Sequence, residues 1–189
     1  MKRCDWVPVN DTLYLKYHDE EWGVPVHDDR KIFEFIILET FQAGLSWKTI
    51  LHKRENFRKA FTGFDPHKIS GYSGKKIEQL LQNPGIIRNK LKIKAAINNA
   101  QIFLKTADQF GSFDKYLWDF VNGKPIKNKF QDLKELPART PLSDKISKDL
   151  YQKGFKFVGS VIIYSHMQAI GMVNDHLVHC FRYSQAGKL

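Results

Sequence analysis

Cysteine is nearly missing from this chain: Cys4 and Cys180 are its only two, near opposite ends of 189 residues. That excludes a disulfide-stapled scaffold, and in a reducing compartment a bridge between the two is not expected. No apolar run is long enough to span a bilayer. The start, MKRCDWVPVN, lacks the apolar stretch of a signal peptide. A cytosolic protein is expected, or a nuclear one if the source is eukaryotic. Strand-like alternation and internal repeats are also absent, which leaves an all-α class. Acidic residues are in deficit, 20 against 30 Lys and Arg, for a formal charge of +10. A compact domain this basic suits a polyanion, most simply nucleic acid. No long basic helix carries an unbroken apolar face, so a membrane surface is the poorer partner. Hydrophobic residues at 42% and aromatics at 13% supply a substantial core, enough for one domain across 1–189 or two closely packed lobes.

The most hydrophobic run, FEFIILETFQAGLSW from Phe33 to Trp47, holds one carboxylate deep inside it. At helical spacing Glu39 has Phe35 and Ile36 before it and Ala43 after it, an apolar face. Glu34 shares its face with Arg30 and Lys31 and is expected to reach water and a cation. A lone buried carboxylate costs several kcal/mol unless compensated, and such a cost is commonly carried at a site. The plainer alternative is a helix carboxylate satisfied by Tyr14 or Tyr17. Ala43-Gly44 breaks the helix and Trp47 follows, so acid and aromatic together suggest a pocket for a flat, positively polarised group.

Capping residues set out the other helices. Asp11 opens one from Thr12 to about Glu20, placing Tyr14, Tyr17 and His18 on one face with Trp22 a turn beyond. Asp28 or Asp29 caps the central helix. Ser46 caps a helix to Ala60, with Ile50, Leu51 and Phe57 inward and Lys53, Arg54, Arg58 and Lys59 decorating it. Pro66 begins another after Asp65, and Ser73 opens one to about Gln82. Asn83-Pro84-Gly85 turns the chain, and a helix carrying Leu91, Ala95, Ile97 and Ala100 continues to Leu104. This helix, hairpin and helix, about 75–104, is rich in Arg88, Lys90, Lys92 and Lys94, and such a hairpin can point backbone N–H groups at a phosphate. An ordinary turn with a solvated basic face is equally compatible. Ser112 caps a helix through Trp118 and Val121 that Asn122-Gly123 closes. Gly123 to Leu142 reads as the most mobile connection, Ser143 as the cap of a helix ending at Gly154, and Phe157 to Met172 as a buried helix despite its VIIY core. Phe57, Phe61, Phe113, Phe120 and Phe155 are expected in the core.

NDHLVHC sets His176 and Cys180 four apart, one helix face if the segment is helical. Cys4 and His18 offer two more ligands. Together they make a Cys₂His₂ set that would staple termini 1–25 to 157–189, with no open coordination position and hence a structural role. Buried thiols beside surface histidines are the alternative.

Taken together, CDWV, LYLKYHDEEWGVP, LETFQAGLSWKTIL, KRENFRKAF, FDPHKI, GIIRNKLKIKAAINNA and GFKFVGSVIIYSHMQAIGMVNDHLVHC resemble the 3-methyladenine DNA glycosylase I family, bacterial alkylation-repair enzymes, in order over nearly the whole chain. The resemblance implies an all-α protein of helical lobes, of the helix-hairpin-helix glycosylase type, that flips out 3-methyladenine and excises it by hydrolysis without cutting the strand. It implies Glu39 as the base-recognising carboxylate, Trp47 stacking on the base, Tyr17 touching it, and Tyr14, Trp22 and Trp6 lining the pocket. It implies one structural Zn²⁺ on Cys4, His18, His176 and Cys180, and a DNA-gripping hairpin at Gly85. Thr40 and Phe41 replace more polar residues of the family pattern, which is expected to reshape the pocket wall. The superfamily's aspartate after the hairpin has no counterpart, as is usual for this family.

On this basis Gly44 or Leu45 is expected to fill the space left by the flipped base. Arg88, Lys90 and Lys92 are expected on phosphates. Partners are alkylated double-stranded DNA and the free base as product, in the bacterial cytoplasm and nucleoid, with the protein a monomer. Two rivals stand beside this: a zinc-dependent hydrolase with an open site at His18 or His176, and a non-catalytic module binding damaged DNA.

Overall fold

A computed structural model describes residues 1–186. Local capping chemistry starts most helices. Asp11, Asp28, Ser46, Asp65, Ser73 and Ser112 each have an extended backbone and accept from N–H groups in the first turn of the helix they open, relieving donors that have no partner within the helix. The helices are α1 (Thr12–Glu20), α2 (Asp29–Gln42), α3 (Trp47–Ala60), α4 (Pro66–Ser70), α5 (Gly74–Gln82), α6 (Lys90–Phe110), α7 (Phe113–Trp118), α8 (Pro141–Lys153) and α9 (Ser160–Ala169). The all-α expectation holds, with one addition: two-residue strands β1 (Ile126–Lys127) and β2 (Val173–Asn174) pair in parallel. Among the described residues no helix is long and apolar enough to cross a membrane.

α2 is the central element. It is buried without a break from Ile32 to Phe41, whereas a surface helix hides one stripe. α3, α6, α7 and α9 pack around it. Phe33, Phe103, Phe113 and Phe155 form one aromatic cluster, and Phe41, Phe57, Phe61 and Phe64 another. Phe120 is only partly buried against the core. Gly171, at φ +69°, lets the end of α9 sit against the backbone of Val24 and Pro25, where a Cβ would collide.

Several expectations are corrected. Thr140 caps α8, Pro141 is its first residue, and Ser143 completes the capping box from inside. α6 runs six residues beyond Leu104 to an αL cap at Gly111. Its inner face is Ile93, Ala96, Ala100 and Phe103, while Leu91 is 70% exposed. Residues 123–142 are tied down at several points: β1 pairs with β2, Asn128 donates to Asp175 (2.7 Å), and Val178 N–H donates to the Phe130 carbonyl (2.9 Å). His176 and Cys180 do not lie on a helix. They follow β2 in a turn that precedes a short 3₁₀ segment, Phe181–Ser184.

Candidate active site

The middle of α2 forms one wall of a cleft of about 330 Å³ lined by Trp6, Tyr14, Tyr17, Trp22, Glu39, Gln42, Trp47, Leu133, Leu136, Ser165 and Gln168. Glu39, Tyr14, Tyr17, Trp22, Trp6 and Trp47 thus come together. Tyr17, on α1, lies 5.1 Å from Trp47 and 6.5 Å from Tyr14 between ring centroids; Trp6 stands 4.8 Å from Trp22 and 5.7 Å from Tyr14. The indole N–H of Trp47 is buried and meets no acceptor among the described residues.

Glu39 is 4% exposed, and burial alone pushes its carboxyl up to about 8. Neither Tyr14 nor Tyr17 donates to it among the described residues, which removes the satisfied-carboxylate alternative. An acid so placed is largely neutral in the empty cleft at neutral pH and becomes charged when a cation arrives. The aromatic faces around it favour the same charge.

Gln42, Leu133, Leu136, Ser165 and Gln168 were not singled out from the sequence. Gln42, one turn after Glu39, carried a helical-spacing signal. Leu133 and Leu136 come from a connection whose path no local pattern reveals. Gln168 is fixed from behind by Asp175, a buried carboxylate that accepts from its amide (2.8 Å) and from the Tyr164 hydroxyl (2.6 Å). Thr40 and Phe41 do not reshape the wall: both point into the interior, and Phe41 packs on Phe57 and Phe61.

Behind Trp6 and Trp22 the ligand atoms of Cys4, His18, His176 and Cys180 all lie within 4.8 Å of one another, every one of them buried. Cys180 Sγ is 3.5 Å from His18 Nε2 and 3.6 Å from His176 Nδ1, and Cys4 Sγ is 3.6 Å from His176 Nδ1. A tetrahedral ion with bonds of about 2.3 Å to sulfur and 2.0 Å to nitrogen separates its ligands by roughly 3.5 Å. The cluster can therefore hold a metal ion. The other ring nitrogens are also placed: His18 Nδ1 donates to Asp19 (2.8 Å), itself gripped by Arg3, and His176 Nε2 donates to the Trp22 carbonyl (3.0 Å). Such outer contacts fix the tautomer a metal requires.

The expected DNA-contacting residues fare unequally. Gly44, at φ +79°, and Leu45, 41% exposed, form the loop after α2. Arg88 and Lys90 are exposed at the start of α6. Lys92 is corrected: it is 6% exposed, and its ammonium is committed to the carbonyls of Phe41 and Ala43. Gly85 is structural, its N–H bound by Asn83 Oδ1 (2.8 Å) and its carbonyl by Lys53. Arg54, expected on the surface, is buried between Glu21 and Glu34.

A helical frame with an unpartnered carboxylate under a ring of aromatics has the shape and charge to suit a flat, cationic ring. The comparisons make the class specific. A family model described as methyladenine glycosylase matches residues 6–183, and the chain belongs to that family. It is 49% identical to DNA-3-methyladenine glycosylase 1 of Escherichia coli K12 over 183 residues, covering 97% of each chain. It is 44% identical to DNA-3-methyladenine glycosylase of Haemophilus influenzae over 178 residues, 94% of this chain and 96% of that one. A solved variant of 3-methyladenine DNA glycosylase I in complex with 3-methyladenine superposes with a TM-score of 0.92 at 38% identity, covering 96% of this chain and 97% of that one.

Proposed function

We propose that this protein excises 3-methyladenine from alkylated double-stranded DNA by hydrolysing its N-glycosyl bond, leaving an abasic site and an uncut strand, with Glu39 as the central carboxylate. What carries this is the unpartnered Glu39 in an aromatic cleft, in a chain whose relatives are named for that activity.

A base methylated at N3 is cationic and departs as a neutral purine, so little protonation by a general acid is needed. The task is extraction and discrimination. Trp47 stacks on the base and Tyr17 touches it, a preference for a cation worth ~1–2 kcal/mol when desolvated. Glu39, ionised by the arriving cation, accepts from the exocyclic amino group and then faces the positive charge that develops on the sugar. Tyr14, Trp22 and Trp6 close the pocket, and Leu45 occupies the space the base leaves.

The whole chain is read as one glycosylase domain of the helix-hairpin-helix type, a monomer acting on DNA in the cytoplasm. The backbone grip on DNA is better placed at the α8–α9 turn than at Gly85. The N-cap of α9 is Gly159, three residues after Lys156, and among the described residues no side chain caps the helix, so its first N–H groups are open to a phosphate. Arg88 and Lys90 add charge. The four-ligand cluster would hold one structural Zn²⁺, tying residues 1–25 to the C-terminal segment. A closed Cys₂His₂ set argues against the zinc-hydrolase rival.

The test is release of free bases from methylated duplex DNA by the intact protein and by Glu39→Gln. Release of 3-methyladenine with little 7-methylguanine, far slower in the variant, supports the reading. No release by the folded, zinc-loaded protein sinks it in favour of a DNA-binding module.

A further inference from the structure

α2 ends with the Gln42 carbonyl accepting from Leu45 N–H (2.6 Å), while the Phe41 and Ala43 carbonyls on either side of it find their partner on another helix. Its C-cap, Ala43, makes no capping hydrogen bond, and no basic residue lies in its last turn. Gly44 then turns the chain at φ +79°. The partner comes from another helix: Lys92 Nζ, on α6, donates to the Phe41 carbonyl at 2.9 Å and to the Ala43 carbonyl at 2.5 Å. An ammonium is rarely buried unless its protons are used. Here it meets the negative end of the α2 dipole, and burial pushes its pKa below the usual lysine value.

The two carbonyls flank Gln42, which lines the cleft, and directly precede Gly44 and Leu45. The segment they anchor joins Glu39 to Trp47. On its own side Lys92 sits one turn into α6, between exposed Lys90 and Lys94. We propose that Lys92 is a positioning residue for base extraction, acting as a tertiary cap that locks the end of α2 so that the 43–46 loop projects at a fixed height into the duplex. This rests on the glycosylase reading above. Glu39 lies on the body of α2, held by core packing on both sides, so the loop depends on Lys92 more than the carboxylate does. The consequence falls on duplex DNA, where the gap left by the base must be filled, and much less on single strands, where no stack opposes extraction.

The experiment compares kcat/KM for 3-methyladenine release from methylated duplex and single-stranded DNA in the wild type, Lys92→Met and Lys92→Arg. A misplaced loop can cost about 10-fold or more. We expect at least that loss for Lys92→Met on duplex, less than 3-fold on single strands, and near wild-type values for Lys92→Arg, whose guanidinium can also reach two carbonyls. Circular dichroism checks folding, and the shorter, uncharged Lys92→Gln takes the same readout if Lys92→Met unfolds. Equal losses on the two substrates, or none on either, overturn the positioning role while the wild-type activity stands. Absence of release by the wild type itself overturns the glycosylase reading and this inference with it.

Discussion

Glu34 and Glu39 lie five residues apart on α2, and both are buried, 5% and 4% exposed. Around Glu34, Arg54 donates at 2.7 Å and Arg58 at 2.8 Å, with Lys31 at 3.5 Å. Burial pushes that carboxyl up, but Arg54 foremost, then Lys31 and Arg58, hold it below the usual carboxylate range. Around Glu39 burial acts unopposed. The first carboxylate is finished by the fold, which spends it tying α2 to α3 and, through Arg54 and Glu21, to the end of α1. The second is left for something the protein does not contain. Burial of charge therefore does not mark a site by itself; burial without a partner does.

The largest effect should come from breaking the finished side. Arg54→Ala removes the most buried of Glu34's cations and the two-pronged partner of Glu21, leaving the more exposed Arg58 and Lys31 behind, and chemical denaturation should show a loss of about 3 kcal/mol, the low end of the range for one half of a buried pair. Glu39→Gln should do the opposite. Base release falls by roughly 100-fold, about 2.7 kcal/mol of transition-state stabilisation, while the protein becomes more stable. The pH dependence sharpens this. The folded-state pKa of Glu39 is raised, so the native state keeps a proton the unfolded chain gives up, and wild-type stability falls as pH climbs from about 4.5 to 8. The gap in Tm between Glu39→Gln and wild type should be small at pH 4.5 and widen towards pH 8. A gap that does not grow with pH would mean that Glu39 has a partner in solution.

A smaller effect follows from making Glu39 resemble Glu34. Gln42→Lys puts a cation one turn away in the same cleft. The kcat/KM for 3-methyladenine release from methylated DNA should drop about 10-fold, or 1.4 kcal/mol, because the carboxylate that meets the cationic base in DNA is already paired. Smallest of all is Lys31→Ala. Lys31 is about one-third exposed and stands farthest of Glu34's partners, at 3.5 Å, and its removal should cost under about 1 kcal/mol.

Helix starts were the most legible part of the fold. A cap is chemistry between a side chain and a backbone N–H two or three residues away, so Asp11, Ser46 or Ser112 can be recognised without knowing the rest. Ser143 shows the limit: with Thr140 three residues earlier, both fit a cap, and the one ahead of Pro141 takes the role. The residues that resemble the family's pocket motif do meet in one cleft, and Cys4, His18, His176 and Cys180 do converge. The means of convergence was not legible, since His176 and Cys180 reach one another around a turn rather than along a helix face. Arg54 and Lys92 were misread for one reason. Each looks like solvated charge within its own helix, and the acceptors that bury it lie on segments distant in the chain.

The helical class, most helix beginnings, the excess of positive charge and the presence of one acid inside an apolar run can all be read along the chain. Those properties depend on composition and on contacts within a turn or two. Which charges are paired and which are left open emerges from the packing of the helices against one another. It gave Glu34 three cations, committed Lys92 to the end of α2, brought Leu133 and Leu136 to the cleft, and left Glu39 alone. Pairing energy depends on what stands within a few ångströms, and between helices that is set by packing, not by spacing along the chain.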